Sequence, residues 1–465
     1  MKNKILLLLL AASVSFVSCF SDLDDNQQEA SVGDINDFIY RGLNFFYLYK
    51  ADTPELGNDF FASDEEKNTF LNSFDTPEGL FDFLKSDQDR FSILVDNFIE
   101  LENALNGVTL NNGMKFGLVR YPSNNSLVFG YVRYVVPNSD AAAKNLERGM
   151  IFNRIDGQQL TENNFSDLLD PDTYTIGLAD FDGATVTDLT ETITLVKEEI
   201  TENPVAIAET LTIDGQKVGY MMYNAFTRDF NAELNNAFGT FVAEGITELV
   251  LDLRYNGGGS VETAVDLQSM ITGQFNGQIC YSEQWNADRQ DEYANNGLFN
   301  QEISNGDAIN SLGLTRVFIL TSGRTASASE LVINGLNPYI DVVQVGTNTT
   351  GKFQASFLLY DAPAPNFSRA EANPGHTYAM LPLVFKTANA SGFTDFVDGL
   401  VPDFELAEDY SNLGSLGNQT EPLLAAALEI MFPSPGPRSF RNFERLEEVG
   451  GSNDFSPIDG LMIAN

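Results

Sequence analysis

Histidine is almost absent from this sequence, since the 465 residues contain only His376. A serine nucleophile is usually activated by a histidine base, so this scarcity leaves His376 as the one residue that could complete a Ser-His arrangement. His376 lies in the turn-like stretch NPGHTYAM, which favours an ordinary surface or capping histidine over a catalytic one. If serine chemistry occurs, lysine is the leading candidate for the base.

Cysteine is equally scarce, with Cys19 and Cys280 far apart in the chain. One histidine and two separated cysteines give no metal-ligand spacing, so we expect no zinc site. Cys280 also has no obvious disulfide partner if Cys19 is used otherwise.

Basic residues are few, because 26 lysines and arginines face 66 aspartates and glutamates, which gives a formal net charge of −40. Such a surface repels phosphate backbones and anionic lipids, so nucleic acid is a poor partner. A solvated acidic surface explains this charge more simply than a cation-binding role does. The length and the 43% hydrophobic content allow two to four domains with sizeable cores.

The chain opens with MKNKILLLLLAASVSFVSCF, which is too short for a spanning helix and predicts a lipoprotein signal peptide over residues 1–18. The sequence FVSC resembles a bacterial lipoprotein cleavage box and would make Cys19 the lipidated first residue of the mature chain. Ordinary signal cleavage with an incidental Cys19 is the alternative. Residues 19–33 are predicted to form an acidic tether, similar to the export tag of surface lipoproteins in the Bacteroides group. We therefore expect an exported protein, lipid-anchored at the outer membrane and either periplasmic or surface-exposed.

The rest of the chain indicates a multidomain α/β fold. Residues 34–108 place apolar side chains at helical spacing and predict a helical N-terminal domain. Residues 109–200 change to short alternating strands, and VVPNSDAAAKNLERGMIFNRIDGQQL within them resembles the PDZ peptide-binding domain. Residues 201–432 repeat the order strand, loop, helix, which predicts an α/β domain with ligand-binding loops at the strand ends. Residues 433–465 are predicted to be an extended or poorly ordered tail.

Two loops of the α/β region carry residues suited to acyl chemistry. In DLRYNGGGS, three consecutive glycines follow a buried strand, and their backbone N–H groups can approach a substrate without obstruction. A phosphate cradle is the rival interpretation, but the loop lacks the Lys and Ser/Thr that follow in a P-loop. In RTASASELV, Ser327 and Ser329 lie at the predicted start of a helix, whose dipole favours developing negative charge. A plain helix N-cap is the alternative there.

Lysine is scarce beyond residue 200, where only Lys217, Lys352 and Lys386 occur. Lys217 and Lys386 are predicted to be exposed at strand ends. Lys352 follows the strand DVVQVG and the loop TNTTG, and no other charged residue occurs from residue 342 to residue 360. A lysine base has to lose its proton near pH 7 although its unperturbed pKa is about 10.4, and burial in an uncharged pocket favours that loss. Lys352 is therefore the predicted base for a serine of the RTASASELV loop, Ser327 or Ser329.

Four motifs, RTASASELV, DLRYNGGGS, GTNTTGK and GLVPDFEL, together resemble the carboxyl-terminal processing, or tail-specific, peptidases, which are serine proteases with a Ser-Lys catalytic pair. The resemblance covers roughly residues 30 to 432 and implies an α/β protease core of the ClpP/crotonase-like type over residues 201–432. It implies Ser327 as the nucleophile and Lys352 as the base. It also implies an oxyanion hole formed by Gly258 with the amide of Ala328.

The resemblance leaves the third member of the catalytic site open. Family members often carry a glutamine four residues after the lysine, and this sequence has Ser356 there. Gln354 and Glu330 are the candidates for a group that orients the catalytic pair.

The implied function is a serine endopeptidase that cleaves exported proteins or peptides near their C-terminus through an acyl-enzyme. Neutral Lys352 would take the proton of Ser327, whose oxygen attacks a peptide carbonyl, and no metal or other cofactor is implied. Unfolded or C-terminally exposed proteins and peptides would enter between the PDZ-like and protease domains. The membrane would be a partner only through the lipid anchor. Residues 273–314, rich in Asn, Gln and Asp, are predicted to form a lid or insertion.

Two other functions stay open. The first is a catalytically silent peptide-binding surface lipoprotein on the same fold, because a fold does not fix a function. The second is a hydrolase of a non-peptide ester or amide, which the same Ser-Lys pair would allow. The sequence does not predict the oligomeric state.

Overall fold

The computed structural model of the protein describes residues 29–433, 446–456, 458 and 460–464. The predicted signal peptide, Cys19 and most of the predicted tether lie outside these residues, so lipidation stays a prediction. Within the described ranges, no helix is long and apolar enough to cross a membrane.

The N-terminal region is mainly helical, as predicted. Its first helix begins after Ser31, because the Ser31 hydroxyl accepts the Asp34 backbone N–H and the Asp34 carboxylate accepts the Ser31 backbone N–H. The elements are α1 (Val32–Phe46), α2 (Asp64–Leu71), α3 (Pro77–Leu84), β1 (Ile93–Val95), α4 (Phe98–Leu105) and β2 (Val108–Asn111).

The expected run of helix through residues 77–105 is interrupted by β1. This strand pairs antiparallel with residues 379–381 of the later chain, and Leu94 faces Met380 in the register. The sequence ILV has the β-branched residues that favour strands, and a distant strand supplies the backbone partners. The helical prediction is therefore wrong for this stretch.

The β-rich domain, residues 109–200, consists mainly of strands, and β3 and β4 carry unbroken runs of buried side chains in place of strict alternation. Its elements are β3 (Met114–Tyr121), β4 (Asn124–Val135), α5 (Asp140–Ala143), β5 (Ile151–Ile155), β6 (Gln158–Gln159), α6 (Phe165–Leu169), β7 (Thr173–Phe181), β8 (Val186–Val196) and β9 (Glu198–Thr201). The main sheet runs in the order β3-β4-β5-β7-β8. Its core contains Phe116, Phe152 and Ile176. Assignment of this domain to the PDZ type stays a prediction.

The α/β core follows as alternating strands and helices. Its elements are β10 (Val205–Ile213), β11 (Gln216–Tyr223), α7 (Asn231–Glu244), β12 (Glu248–Asp252), β13 (Gly259–Ser260), α8 (Val261–Thr272), β14 (Ile279–Trp285), α9 (Gln290–Tyr293), β15 (Asn296–Leu298), β16 (Arg316–Thr321), α10 (Ala328–Leu336), β17 (Asp341–Gly346), β18 (Gln354–Ser356), β19 (Leu359–Tyr360), β20 (Ala379–Leu381), β21 (Leu383–Asn389), β22 (Phe404–Glu405) and α11 (Pro422–Met431).

One sheet of the core has the order β10-β11-β12-β16-β17-β22. The hairpin β10-β11 turns at Asp214 and Gly215, whose φ values of 48° and 81° are those of a tight hairpin turn. From β11 onward the neighbouring strands are parallel. Parallel strands buried on both faces require apolar runs, which ELVLD and RVFILT provide.

A second sheet joins distant parts of the chain. It runs β13-β24-β18-β21-β14-β15, where β24 (Met462–Ile463) comes from the C-terminal end. The preceding strand β23 (Glu448–Gly451) pairs with β3 of the β-rich domain. The prediction of an extended or poorly ordered tail is therefore wrong for the described part of residues 433–465, because its strands β23 and β24 pair with two different sheets.

The predicted lid over residues 273–314 also belongs in part to this second sheet. Strand β14 pairs antiparallel with β21, and Cys280 and Trp285 are buried. The Trp285 ring packs at 5.1 Å from the Phe385 ring. A strand with buried side chains is part of the core, so residues 279–285 do not form a separate lid.

Candidate active site

The two loops singled out in the sequence lie side by side at the carboxyl ends of β12 and β16. The Ala326 backbone N–H and the Ser329 hydroxyl both donate to the Asn256 carbonyl at 3.1 Å. The Thr325 hydroxyl donates to the Leu253 carbonyl at 2.9 Å. Ser329 thus holds the glycine loop against the serine loop. The carboxyl ends of parallel strands are where ligands usually bind in α/β folds.

Ser327 occupies the turn between this loop and α10. Its φ of 65° and ψ of −115° are strained for a residue with a side chain. The side chain is fully buried, and its hydroxyl has no hydrogen-bond partner among the residues that the structure describes. Ser327 is the N-cap residue of α10, but the contact with Glu330 is made by its backbone N–H and leaves its hydroxyl unused.

The carboxylate of Glu330 joins the serine loop to the lysine loop. Its Oε2 atom accepts the backbone N–H groups of Ser327 and Lys352, each at 2.8 Å. Its Oε1 atom accepts the Gly351 N–H at 2.7 Å and the Thr349 hydroxyl. Burial raises the pKa of the Glu330 carboxyl, although the four donors oppose that rise. This one side chain therefore fixes the relative position of both loops.

Lys352 is fully buried on the side of the N-terminal region. Its Nζ atom lies 5.0 Å from the centre of the Phe91 ring. The adjacent Arg90 guanidinium donates to the Gly351 carbonyl at 3.0 Å. Sequence reasoning missed Phe91 and Arg90 because they lie far from the motifs, in a stretch predicted to be helical.

The glycine loop approaches Ser327 closely. At Gly258, φ is 114°, and an added Cβ would lie 2.7 Å from Ser327 Cβ and 2.9 Å from Ser327 Oγ. Its N–H donates to Asn256 Oδ1 at 2.9 Å and is therefore engaged within the loop. The Gly259 N–H instead donates to the Leu461 carbonyl at 2.7 Å. The role of Gly258 in an oxyanion hole therefore stays a prediction.

The other predicted residues are placed as follows. Ala328 begins α10, and its N–H has no hydrogen-bond partner among the described residues. Gln354 donates from Nε2 to the Tyr49 hydroxyl at 2.7 Å. Ser356 is fully buried next to it in β18. Of the two candidates for an orienting group, Glu330 is the one that contacts both loops.

His376 takes no part in this site. Its Nε2 atom lies 3.0 Å from Asp361 Oδ2, and its Nδ1 atom accepts the Tyr378 N–H at 3.0 Å. Its side chain is only 6% exposed, so it fixes a turn in the interior instead of lying on the surface.

The described residues offer no group of three or more His, Cys, Asp or Glu side chains that could hold a metal ion. Cys280 is buried, and burial raises the pKa of its thiol to about 12. A thiol with such a pKa is almost entirely protonated near neutral pH and is a poor nucleophile.

A buried charge network links the β-rich domain to the core. Arg148 donates to Glu408 at 2.7 Å and to the Tyr255 hydroxyl at 2.7 Å. Arg254, fully buried, donates to Glu408 and Glu421. Burial acts to raise the pKa of Glu408, but the Arg148 and Arg254 charges outweigh it and lower the pKa to about 2. The network fixes Arg148 of the β-rich domain directly behind the glycine loop.

A cavity of about 170 Å³ lies between the β-rich domain and the core. Its walls include Lys115 and Tyr174 from the β-rich domain and Gly257 and Gly258 from the glycine loop. The cavity therefore reaches the loop that contacts Ser327.

Two regions of the chain match known protein families. Residues 217–360 match Peptidase family S41, and residues 34–93 match the Peptidase S41 N-terminal domain. These two regions are thus similar to the domains of peptidase family S41. The match over residues 217–360 includes the glycine loop, Ser327 and Lys352.

Two curated relatives are named carboxyl-terminal-processing proteases. The one from Picosynechococcus sp. is 25% identical over 53% of this chain and 52% of its own length. The one from Synechocystis sp. is 28% identical over 38% of this chain and 38% of its own length. The chain thus matches about half the length of the first relative and less of the second.

Solved structures cover more of the chain. A crystal structure of an S41 protease from Bacteroides fragilis has a TM-score of 0.64 and 28% identity, and covers 85% of this chain and 96% of that chain. The photosystem II D1 C-terminal processing protease has a TM-score of 0.52 and 20% identity, and covers 85% of this chain and 98% of that chain. At that identity the second match shows a shared fold. The protein is thus a mixed α/β, multidomain protein with an S41 protease core.

Proposed function

We propose that the protein is an exported serine endopeptidase that cleaves proteins or peptides near their C-terminus, with Ser327 as nucleophile and Lys352 as base. The observation that carries this proposal is the shared use of Glu330 Oε2 by the backbone N–H groups of Ser327 and Lys352. Burial of a carboxylate costs free energy. A buried carboxylate that fixes two loops relative to each other therefore suits a pair of residues that react together.

In the first step, neutral Lys352 takes the proton from the Ser327 hydroxyl, and Ser327 Oγ attacks the peptide carbonyl. The strained backbone of Ser327 and the unengaged state of its hydroxyl leave Oγ available for that attack. Lys352 then gives the proton to the leaving amine, and water hydrolyses the acyl-enzyme.

The negative charge that develops on the carbonyl oxygen needs N–H donors. The Ala328 amide at the start of α10 is one candidate, and the helix dipole adds to its effect. The glycine loop supplies the other donor, through Gly259 as it lies here or through Gly258 if its N–H is released from Asn256.

The substrate is proposed to be an unfolded or exposed protein C-terminus. The cavity between the β-rich domain and the core gives an extended chain a route to the glycine loop. Export and lipid anchoring through Cys19 belong to the same proposal, and they would bring the enzyme to substrates of the cell envelope.

The test compares the full mature chain with Ser327→Ala and Lys352→Ala on an unfolded protein that has an apolar C-terminus. Lys386→Ala is the matched control, since Lys386 is a half-buried lysine paired with Asp395. We expect each site variant to lose at least about 10³-fold in kcat/KM and the control to keep full activity.

Two outcomes would overturn the mechanism. Cleavage that survives either site substitution would exclude the Ser-Lys pair. Binding of the substrate without cleavage by the parent would favour the silent binding protein. A parallel assay with a small ester tests the third function, because hydrolysis of the ester without hydrolysis of protein would indicate a non-peptide substrate.

A further inference from the structure

The C-terminal segment, defined as residues 446–464 where described, contacts both parts of the proposed peptide path. Its first contact is the edge of the β-rich domain. Strand β23 pairs antiparallel with β3, with Glu448 opposite Val119 and Gly451 opposite Gly117. Addition of an extended strand to a sheet edge is a common way for domains to bind a peptide.

The second contact lies at the glycine loop. Strand β24 is inserted between β13 and β18 and is parallel to both. The Leu461 carbonyl accepts the Gly259 N–H at 2.7 Å. A Cβ added to Gly258 would lie 2.6 Å from the Leu461 carbonyl oxygen and 2.9 Å from Ser327 Oγ. The Leu461 carbonyl oxygen and Ser327 Oγ thus both lie close to the same point next to Gly258.

Side chains secure the segment at both ends. Leu461, Met462 and Ile463 are buried, and Met462 belongs to the main core cluster. Glu448 accepts hydrogen bonds from Arg133 of the β-rich domain and from Arg324, which lies shortly before Ser327 in the serine loop. The segment thus bridges the two domains along the same path that a substrate would take.

We propose that the C-terminal segment is a built-in ligand that occupies the peptide site and restrains the enzyme until the segment is displaced. The effect on activity rests on the proposed function, whereas the occupancy does not. A tethered strand competes at a high effective concentration, on the order of millimolar for a short flexible linker. A substrate would therefore meet a raised KM until it displaces β24 from the glycine loop.

The test uses the full chain with Met462→Asp, which places a charge in the apolar pocket of β24 and favours release of the segment. Glu447→Gln, an exposed residue of the same segment outside β23, β24 and the cavity, is the matched control. For hydrolysis of a peptide substrate we expect at least a fivefold rise in kcat/KM for Met462→Asp, mainly through KM, and no change for the control.

A binding assay separates this inference from the proposed function. It is done in the Ser327→Ala background with a fluorescent peptide of residues 446–465 as the probe. We expect at least tenfold tighter binding by the chain with Met462→Asp than by the chain without it. Tighter binding with no hydrolysis by any form would overturn the proposed function and support the built-in ligand.

Equal binding by both chains, or an unchanged or lower kcat/KM with Met462→Asp in an otherwise active enzyme, would overturn the built-in ligand. The segment would then be a structural part of the fold. If Met462→Asp does not fold, Glu448→Gln loosens the other end of the segment and carries the same expectations.

Discussion

Ser327 and Lys352 donate their backbone N–H groups to the same oxygen atom, Oε2 of Glu330, at 2.8 Å each. The serine loop follows β16 and the lysine loop follows β17, so this carboxylate closes the gap between two neighbouring parallel strands. The alignment of the pair is thereby set by the backbone. Small displacements of reacting groups cost large factors in rate, so we predict that this contact matters for the proposed catalysis.

Glu330→Gln is predicted to lower kcat/KM by about 10²-fold or more, because one carboxylate oxygen is replaced by an NH2 group, which cannot accept an N–H. The variant also loses stability, by about 2–4 kcal/mol, since buried donors lose their acceptor. Steady-state kinetics together with thermal unfolding measure both effects.

Glu262→Gln is the matched control for Glu330→Gln, because Glu262 also lies in the first turn of a helix but pairs with Arg228 at the surface. Glu262→Gln should leave kcat/KM unchanged and should alter the free energy of unfolding by no more than about 0.5 kcal/mol. If Glu330→Gln kept full kcat at a lowered stability, Glu330 would be structural and would not position the pair.

Much of the site could be predicted because its signals are local. The apolar runs ELVLD and RVFILT identify buried strands, and Ser327 stands where a helix begins after the second. The scarcity of other bases then points to Lys352. These inferences use local patterns and the residue composition, and the choice of Ser327 uses the resemblance to a known family.

The remaining features depend on contacts between distant residues. Glu330 was a candidate, but its bonds to Gly351 and Lys352 come from another loop and leave no pattern at its own position. Phe91 reaches Lys352 from the N-terminal region. The tail was predicted to be an appendage because its polar, glycine-rich sequence carries no strand pattern, yet sheet edges elsewhere supply its partners. Such pairings follow from tertiary structure and cannot be derived from local propensity.

Gly258→Ala is predicted to reduce kcat/KM at least about 10²-fold, because its Cβ would overlap Ser327 Cβ at 2.7 Å and displace the nucleophile. Gly215→Ala is the control. Gly215 also has a positive φ, 81°, but its Cβ would meet open space. It should cost about 1 kcal/mol of stability and no activity. Equal losses of activity in both variants would show that backbone strain, and not the contact with Ser327, matters at Gly258.

Glu408→Gln is predicted to destabilise the protein by about 3–5 kcal/mol, because it leaves Arg148 and Arg254 partly uncompensated in a buried place. Since Arg148 belongs to the β-rich domain, hydrogen exchange should rise at the contact between that domain and the core. Glu405→Gln, on exposed β22, is the control and should have no effect. A loss below about 1 kcal/mol would mean that the network is solvated in solution.

The pH dependence of stability has a predicted contribution from Asp266, whose side chain is fully buried in α8. Burial raises the pKa of Asp266 to about 6 from its ordinary value of 3.8. The folded state therefore binds its proton more tightly than the unfolded state does. The resulting stabilisation is complete below about pH 4 and is lost as the pH rises through about 6.

Asp266→Asn removes the titrating group, so the variant should be more stable than the parent at pH 7 by about 3 kcal/mol, and the difference should vanish near pH 4. The NH2 group introduced at position 266 has an acceptor available. In the parent, Asn231 donates from Nδ2 to Asp266 at 2.9 Å, and Asn231 Oδ1 has no partner among the described residues. Rotation of the Asn231 amide would restore the bond. Denaturant unfolding of both proteins from pH 4 to pH 8 measures the difference. A difference that is independent of pH would show that Asp266 ionises without penalty in the folded protein.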